Sequence, residues 1–417
     1  MSKHIIEDAK RCLQCKNPLC TMGCPIRTPI KDAIHLLLES KVLEAGRLLF
    51  ENNPLSLVCC HVCPQENQCE GHCVLGKKGS PVFISAIEEY ISDYYLNIYK
   101  PVPTKKTSGK VAIIGSGPAG ITIALLLARK NYDVTIYEGN DKIGGIMRYG
   151  IPEFRLPKNI IDRLANILIE KGVKIRPNTS IGMNLSVDDL FRDGFHAIFM
   201  GTGVWRPRKL NIKGESLGHV HFAVDYLKNP GGYHLGKSLI IIGAGNVSMD
   251  VARTAFRNNC REVTIFCNMD ESSITARDYE VQYAKIDGAE IEMNKTAVEI
   301  VDEGVIFADT EIYADENGNK QGRPIPGTEK LYPADSVIVA IGQGPRSVIV
   351  SSTKGIDIGE SGLVTVDKYG HTTRDGVFAG GDVVTGARTV VDAVVASRRV
   401  AQAIDEYVRN VTGRNNM

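Results

Sequence analysis

Three features of this chain predict an α/β architecture with a small all-α domain in front of it. Nine of its 11 cysteines fall between Cys12 and Cys73. A strand, a glycine-rich turn and a helix recur twice, starting near Lys110 and again near Lys237. A strand, a Gly-Gly-Asp turn and a long helix come late, from Gly376 onward. The pattern is that of two nested, doubly wound units preceded by a cysteine-rich helical domain.

At 417 residues the chain exceeds a single small core and should hold two or three domains. Residues 1–108 form the first, with apolar residues of "TPIKDAIHLLLESKVLEAGRLLFENNP" recurring at helical spacing and "KPVPTKKTSGK" as a linker. Residues 109–210 and 343–417 form a discontinuous second domain, and 211–342 a third inserted within it. A net charge of +1 gives no reason to expect nucleic acid or a membrane surface. The opening "MSKHIIEDAK" lacks the apolar run of a signal peptide, and no apolar stretch of about 18 residues marks a membrane span. A cytoplasmic protein is expected, and there clustered cysteines bind metal or do redox chemistry more often than they pair.

The cysteines come in two runs. The first is C-x2-C-x4-C-x3-C-P, from Cys12, Cys15 and Cys20 to Cys24-Pro25. Bacterial ferredoxins use a similar run with a shorter middle gap, its fourth cysteine serving a second cluster. The second run supplies Cys63-Pro64, Cys69 and Cys73. With Cys59 and Cys60 set aside, seven thiolates are available where two [4Fe–4S] clusters want eight ligands. Two tetrahedral zinc sites would also want eight. Zinc accounts for the spacing, but an electron-carrying cluster accounts for the nucleotide-binding body behind it as well.

In "KVAIIGSGPAGITIALLLARKNYDVTIYEGN" a strand runs into Gly115, Gly117, Pro118, Ala119 and Gly120, then a helix, then a strand ending at Glu138. The glycines permit a tight turn, close approach of a pyrophosphate and close helix–strand packing, and a terminal acid suits a ribose hydroxyl. This is a Rossmann-like dinucleotide-binding unit. The second, "KSLIIIGAGNVSMDVARTAFRNNCREVTIFCN", keeps Gly243 and Gly245 but has Ser248 at the third position. Its strand ends at Cys267-Asn268, with no arginine for the 2′-phosphate of NADPH, which favours NADH; Asp270 or Arg277 could still reach the ribose. Two units suggest two dinucleotides, and "GVFAGGDVVTGARTVVDAVVASRRVAQAIDEYV" suits a return to the first site, with Gly381 and Asp382 in its turn.

Across nearly its whole length the chain resembles the family of glutamate synthase small subunits and dihydropyrimidine dehydrogenase electron-input subunits. The resemblance rests on "CLQCKNPLCTMGCP", "CPQENQCEGHCVLG", "GSPVFISAIEEYI", "IIGSGPAG", "GGIMRYGIPEFRLPK", "IIGAGNVSMDVA", "AIGQGP" and "FAGGD", and "GIPEFRLPK" looks closest to the NADH-consuming bacterial dihydropyrimidine dehydrogenase branch. It implies one cluster on Cys12, Cys15, Cys20 and Cys73 and another on Cys24, Cys63, Cys69 and Glu88. It implies FAD on the first unit, at Gly117 to Gly120, Glu138, Gly144, Gly145, Ile146 and Arg155, closed by Asp382, Thr389 and Val390. The nicotinamide dinucleotide would meet Asn246, Val247, Ser248 and Met249 and be flanked by Ala340, Ile341 and Gly342. Where NADPH-using relatives place two basic residues, this chain has Cys267 and Asn268.

The function implied is electron input. NADH, or with less support NADPH, would reduce FAD, and single electrons would pass through two [4Fe–4S] clusters to a second reductase subunit carrying the substrate site, in a hetero-oligomer. A dihydropyrimidine dehydrogenase-type partner is expected, with a glutamate synthase large subunit or ferredoxin-linked electron transfer as alternatives. No catalytic triad is needed, because the chemistry belongs to the cofactors. Two other classes compete: a dithiol flavoenzyme of the thioredoxin-reductase kind, for which Cys260 and Cys267 have the wrong spacing, and a zinc-stapled binding module.

Overall fold

A computed structural model describes residues 2–315 and 320–413. Residues 1 and 414–417, the outer limits of the first and last expected domains, lie outside the described residues. The N-terminal region is all helical: Ser2–Lys10, Leu19–Gly23, Ile30–Leu38, Val42–Asn52, Ser56–Val62 and Ile84–Ile98. Ile30, Ala33, Ile34 and Leu37 recur at helical spacing and meet Ala45, Leu49, Ile84, Ile87 and Ile91 in one core. The cysteines sit where these helices end. Cys24 caps Leu19–Gly23 and Cys63 caps Ser56–Val62, both with extended backbone.

Two five-stranded parallel sheets follow. The first runs in the order Val377–Ala379, Ala197–Met200, Lys110–Ile114, Asp133–Tyr137, Lys174–Arg176. Its central strands are continuous apolar runs because helices cover both faces. Phe199 pairs with Phe378 across the joint made by the returning chain. The second sheet runs Val220–Phe222, Ser336–Val339, Ser238–Ile242, Glu262–Phe266, Glu290–Glu292. Both confirm the doubly wound reading.

Two compact units result: residues up to 148, 153–204 and from 345 onward in one, and Tyr149–Pro152 with Trp205–Gly344 in the other. The second unit also holds a four-stranded antiparallel sheet, Lys295–Val301, Gly304–Ala314, Lys320–Pro324 and Lys330–Pro333, which the sequence reading did not anticipate. Phe307 of that sheet stacks on Phe266 at 4.0 Å, joining it to the parallel sheet's core.

In the first unit the long helix Val390–Val411 lies along Pro118–Arg129. A capping box of Thr389 and Asp392 starts it. Near its end Asp405 accepts hydrogen bonds from the Tyr132 hydroxyl at 2.8 Å and from Lys130. Burial raises the Asp405 carboxyl, but Lys130 and Tyr132 outweigh it and hold the group below its usual range. The stability this adds is present above the unfolded carboxylate pKa and lost as pH falls through the lower folded value. Tyr132→Phe removes a bond to a buried charge and should cost about 1.5–3 kcal/mol, read as a lower denaturant midpoint at pH 7.

Among the described residues, no helix is long and apolar enough to cross a membrane.

Candidate functional site

Cys12, Cys15, Cys20 and Cys73, drawn from two distant stretches, line one apolar cavity together with Leu13, Leu19, Ile30 and Ile34. Burial raises the Cys12 and Cys20 thiols, and the neighbouring thiols of the same set add to the shift. The Gln14 side-chain amide points at the Cys12 sulfur from 3.6 Å. Four sulfurs facing one hollow suit a tetra-iron cluster, whose ligands surround a cube of atoms. Among the described residues no three His, Cys, Asp or Glu converge as one bound ion would require.

The remaining ligand candidates gather beside that set. Burial raises the Cys69 thiol, with Glu88 and Cys24 adding to the shift. A hydrogen bond with Cys59 raises Cys63, followed by burial and by Glu88 and Cys69. The Thr28 hydroxyl lies 3.3 Å from the Cys24 sulfur. Glu88 lines a second apolar cavity with Thr28, Ile34, Leu49 and Ile91. Burial alone pushes its carboxyl up to about 8. A carboxylate in hydrocarbon without a compensating partner is costly, so Glu88 suits a position that a cation would complete. Cys59, expected as a buried neighbour of the cluster ligands, is buried beside Cys63, as the i, i+4 spacing from Ser56–Val62 into its cap allows, whereas sequence reasoning left Cys60 unassigned.

In the first glycine turn, Gly115 has φ +93° and a Cβ there would lie 2.6 Å from the Gly201 carbonyl. A Cβ on Gly120 would lie 2.0 Å from the Gly115 carbonyl, so only glycine allows the helix this close to the strand. Gly117 differs: nothing approaches its Cβ position nearer than the Gly145 Cα at 4.0 Å. That open space, at the start of Pro118–Arg129 where free N–H groups point outward, is room in which a pyrophosphate could sit. Glu138 is buried, and its carboxylate accepts from Ser116 N at 3.1 Å, the Ser116 hydroxyl, and both nitrogens of Asn140 at 2.8 Å. It therefore clasps the turn to the strand end. Gly144 N donates to Ser116 O at 3.0 Å, bringing Gly144, Gly145 and Ile146 onto the same turn.

Asp382 starts a short helix behind Gly381, and burial pushes its carboxyl up to about 6, with Arg388 N donating to it at 3.2 Å. The Thr389 hydroxyl is engaged in the capping box, and Val390 is buried. Arg155 is half-buried in the same unit.

The second turn repeats the geometry within its own unit. A Cβ on Gly243 would lie 2.6 Å from the Ala340 carbonyl, while one on Gly245 would meet only the Thr275 hydroxyl, at 3.5 Å. Ala340 N donates to Ile242 O at 2.8 Å, which sets Ala340, Ile341 and Gly342 at the edge of the turn. Asn246 Oδ1 accepts from Arg277 N at 3.0 Å, folding the 268–277 loop over it. Ser248 is fully buried, and among the described residues its hydroxyl has no hydrogen-bond partner. Val247 packs against the core, and Met249 and Cys267 lie within it. Asn268 is exposed. Beyond it, Asp270 accepts from Lys320 at 2.8 Å and from the hydroxyls of Ser272 and Ser273 at 2.6 and 2.7 Å. Lys320 comes from the unanticipated antiparallel sheet, so no local signal announced it.

Comparison with known proteins agrees with this geometry. Residues 109–401 match the pyridine nucleotide-disulphide oxidoreductase family, and residues 1–99 match dihydropyrimidine dehydrogenase domain II, 4Fe-4S cluster. The chain is 34% identical to the glutamate synthase [NADPH] small chain of Halomonas elongata, over 96% of this chain and 90% of that one. It is 32% identical to the NAD-dependent dihydropyrimidine dehydrogenase subunit PreT of Salmonella typhimurium, over 97% of this chain and 94% of that one. The structure of Mycobacterium tuberculosis FprA in complex with NADPH shares the fold, with TM-score 0.62 and 17% identity over 73% of this chain and 86% of that one.

Proposed function

Since the chain belongs to the pyridine nucleotide-disulphide oxidoreductase family, among the glutamate synthase small chains and dihydropyrimidine dehydrogenase electron-input subunits, we propose that it feeds electrons from NADH, through FAD and two [4Fe–4S] clusters, to a second subunit that carries the substrate site. Such groups, when bound, convert a two-electron nicotinamide oxidation into single-electron transfers. The observation that carries the reading is that the four-thiol hollow, the Cys24, Cys63 and Cys69 thiols gathered about Glu88, and the Gly117 turn lie within one compact unit.

The chain's own residues bind, orient and insulate. Cys12, Cys15, Cys20 and Cys73 would hold one cluster, and Cys24, Cys63, Cys69 and Glu88 the other. Thr28 is in reach of the Cys24 sulfur and Cys59 of the Cys63 sulfur, where such bonds steady a ligand and tune its cluster. The amides at the start of Pro118–Arg129 would take the FAD pyrophosphate, and Glu138 and Asp382 its hydroxyls. Asn246 and the backbone around Gly245 would seat the nicotinamide dinucleotide. A partner of the dihydropyrimidine dehydrogenase type fits this assignment. A glutamate synthase large subunit fits as well, given the identity to the NADPH-named small chain.

Anaerobic addition of NADH or NADPH to the purified holoprotein tests the reading. Bleaching of flavin and then of cluster absorbance by NADH is expected; a flavin that neither nucleotide bleaches would end the proposal.

Asp270 should set the choice of nucleotide. Its carboxylate repels a 2′-phosphate and keeps Lys320 engaged. Asp270→Asn should raise the ratio of kcat/KM for NADPH over NADH on the order of tenfold, about 1.4 kcal/mol. An unchanged ratio would assign selectivity to other residues.

A further inference from the structure

The Cys12 group reaches the surface more fully than the other set: Cys12, Cys15, Cys20 and Cys73 are all partly exposed, while of Cys24, Cys63 and Cys69 only Cys24 is and the other two are buried. Two residues lining its cavity, Leu13 and Leu19, are 61% and 37% exposed. Met22 and Phe83, on the same two segments, are 64% and 52% exposed. Phe83 is held in place, since its backbone N–H donates to Asp8 at 2.7 Å and Arg11 ties the preceding carbonyls of Ser80 and Pro81 to the first helix.

The two segments that carry these side chains bring charge of one sign, and Asp8, which meets Phe83, is paired with Arg11. The segments Cys12–Lys31 and Cys73–Phe83 contain Lys16, Arg27, Lys31, Lys77 and Lys78 and not one Asp or Glu, in a chain whose net charge is +1. Lys16, Arg27, Lys77 and Lys78 are exposed, and none has an ion pair among the described residues. Two other exposed lysines of the helical region differ: Lys10 is paired with Glu7 and Lys41 with Glu39. Exposed apolar side chains rimmed by unpaired charge mark a binding face, and charge of one sign calls for the opposite sign opposite it.

We propose that this face docks the electron acceptor, a protein whose own redox centre is rimmed by Asp and Glu side chains. The proposal rests on the electron-input reading above. Electron transfer slows steeply with separation, so an acceptor gains most by covering the thiol set nearest the surface. Leu13 and Leu19 form the apolar floor of that contact, and the lysines steer the approach. Each nicotinamide oxidised releases two electrons and one proton, and so reduces two one-electron acceptor molecules.

The test uses the holoprotein, the nucleotide it oxidises, and two acceptors: 2,6-dichlorophenolindophenol as a small dye and a purified acidic [2Fe–2S] ferredoxin as the protein probe. Two charge reversals are compared, Lys16→Glu and the pair Lys77→Glu with Lys78→Glu, each checked for unchanged flavin and iron content. Wild-type ferredoxin reduction should fall as salt rises, and the paired reversal should lower it on the order of tenfold at low salt, leaving dye reduction within about twofold. Ferredoxin reduction that ignores both salt and charge reversal, or is absent from a wild type that reduces the dye, would overturn the docking face. A wild type that reduces neither acceptor would overturn the electron-input reading itself.

Discussion

Gly120→Ala is expected to yield a destabilised protein without FAD. The added methyl would stand 2.0 Å from the Gly115 carbonyl oxygen and 3.3 Å from the Ile113 side chain. The oxygen belongs to backbone that cannot step aside, because Gly115 is itself wedged against Gly201 and its N–H is bonded to Tyr137 O at 2.8 Å. Relief requires the helix Pro118–Arg129 to lift off the strand, opening the core beneath Ile121, Ala124 and Leu125. Overpacking of this kind costs roughly 1–3 kcal/mol, and here the upper end applies because backbone must move. Gly117→Ala is the informative companion. Its φ of −70° suits any residue and its Cβ would meet open space, so the folded protein should keep its stability. The methyl would occupy that space instead, and flavin retention should fall on the order of tenfold to a hundredfold, or about 1.4–2.7 kcal/mol. Flavin absorbance after gel filtration and the unfolding midpoint separate the two effects. Full flavin content in both variants would displace the pyrophosphate from this turn.

Loss of half the iron is expected from Cys20→Ser, and separately from Cys69→Ser. Cys20 lines the four-thiol hollow and Cys69 belongs to the group about Glu88, so each variant should fall from roughly eight iron atoms per chain to roughly four, and the double variant to almost none. Metal binding to thiolate sets contributes folding free energy on the order of 10 kcal/mol, so each variant should also lose thermal stability in the helical region. Flavin bleaching by nucleotide should survive, since the glycine turns are untouched, while reduction of a protein acceptor should stop. Glu88→Ala should act like Cys69→Ser in iron content, and Glu88→Gln, which keeps an oxygen donor, should be milder. Iron content unaffected by Cys20→Ser would remove that residue from the ligand set; zinc in place of iron would revive the structural-metal alternative.

The parts of this molecule that were legible in the sequence are those governed by near neighbours. A glycine turn between strand and helix fixes its own geometry within a few residues, so both dinucleotide units could be placed from Gly115 and Gly243 alone. The two cysteine runs were likewise readable from spacing, but that Cys73 joins Cys12, Cys15 and Cys20 was implied only by the family resemblance. What escaped depends on distant partners. The antiparallel sheet around Phe307 has no periodicity that sets it apart from strands of the parallel sheet, and only its stacking on Phe266 explains where it sits. Lys320 meets Asp270 across 50 positions of sequence. The clasp role of Glu138 was also hidden: a terminal acid reads as a ribose ligand, and four internal donors on its carboxylate can be seen only in three dimensions.

The pairing of Ala197–Met200 with Val377–Ala379 has a consequence for synthesis. The first parallel sheet cannot be finished when its first four strands leave the ribosome, because its outer strand and its covering helix lie beyond the inserted unit. Between Met200 and Val377 the growing chain adds 176 residues, roughly 9–35 s of translation at ordinary bacterial rates. Through that interval the flank of Ala197–Met200 is an open edge able to pair with another nascent chain. The inserted unit is complete by Gly344 and can fold while the larger one waits. Its presence therefore sets the order of assembly, and a ribosome stalled after residue 344 should display a protease-resistant insert beside an unfinished, chaperone-dependent sheet.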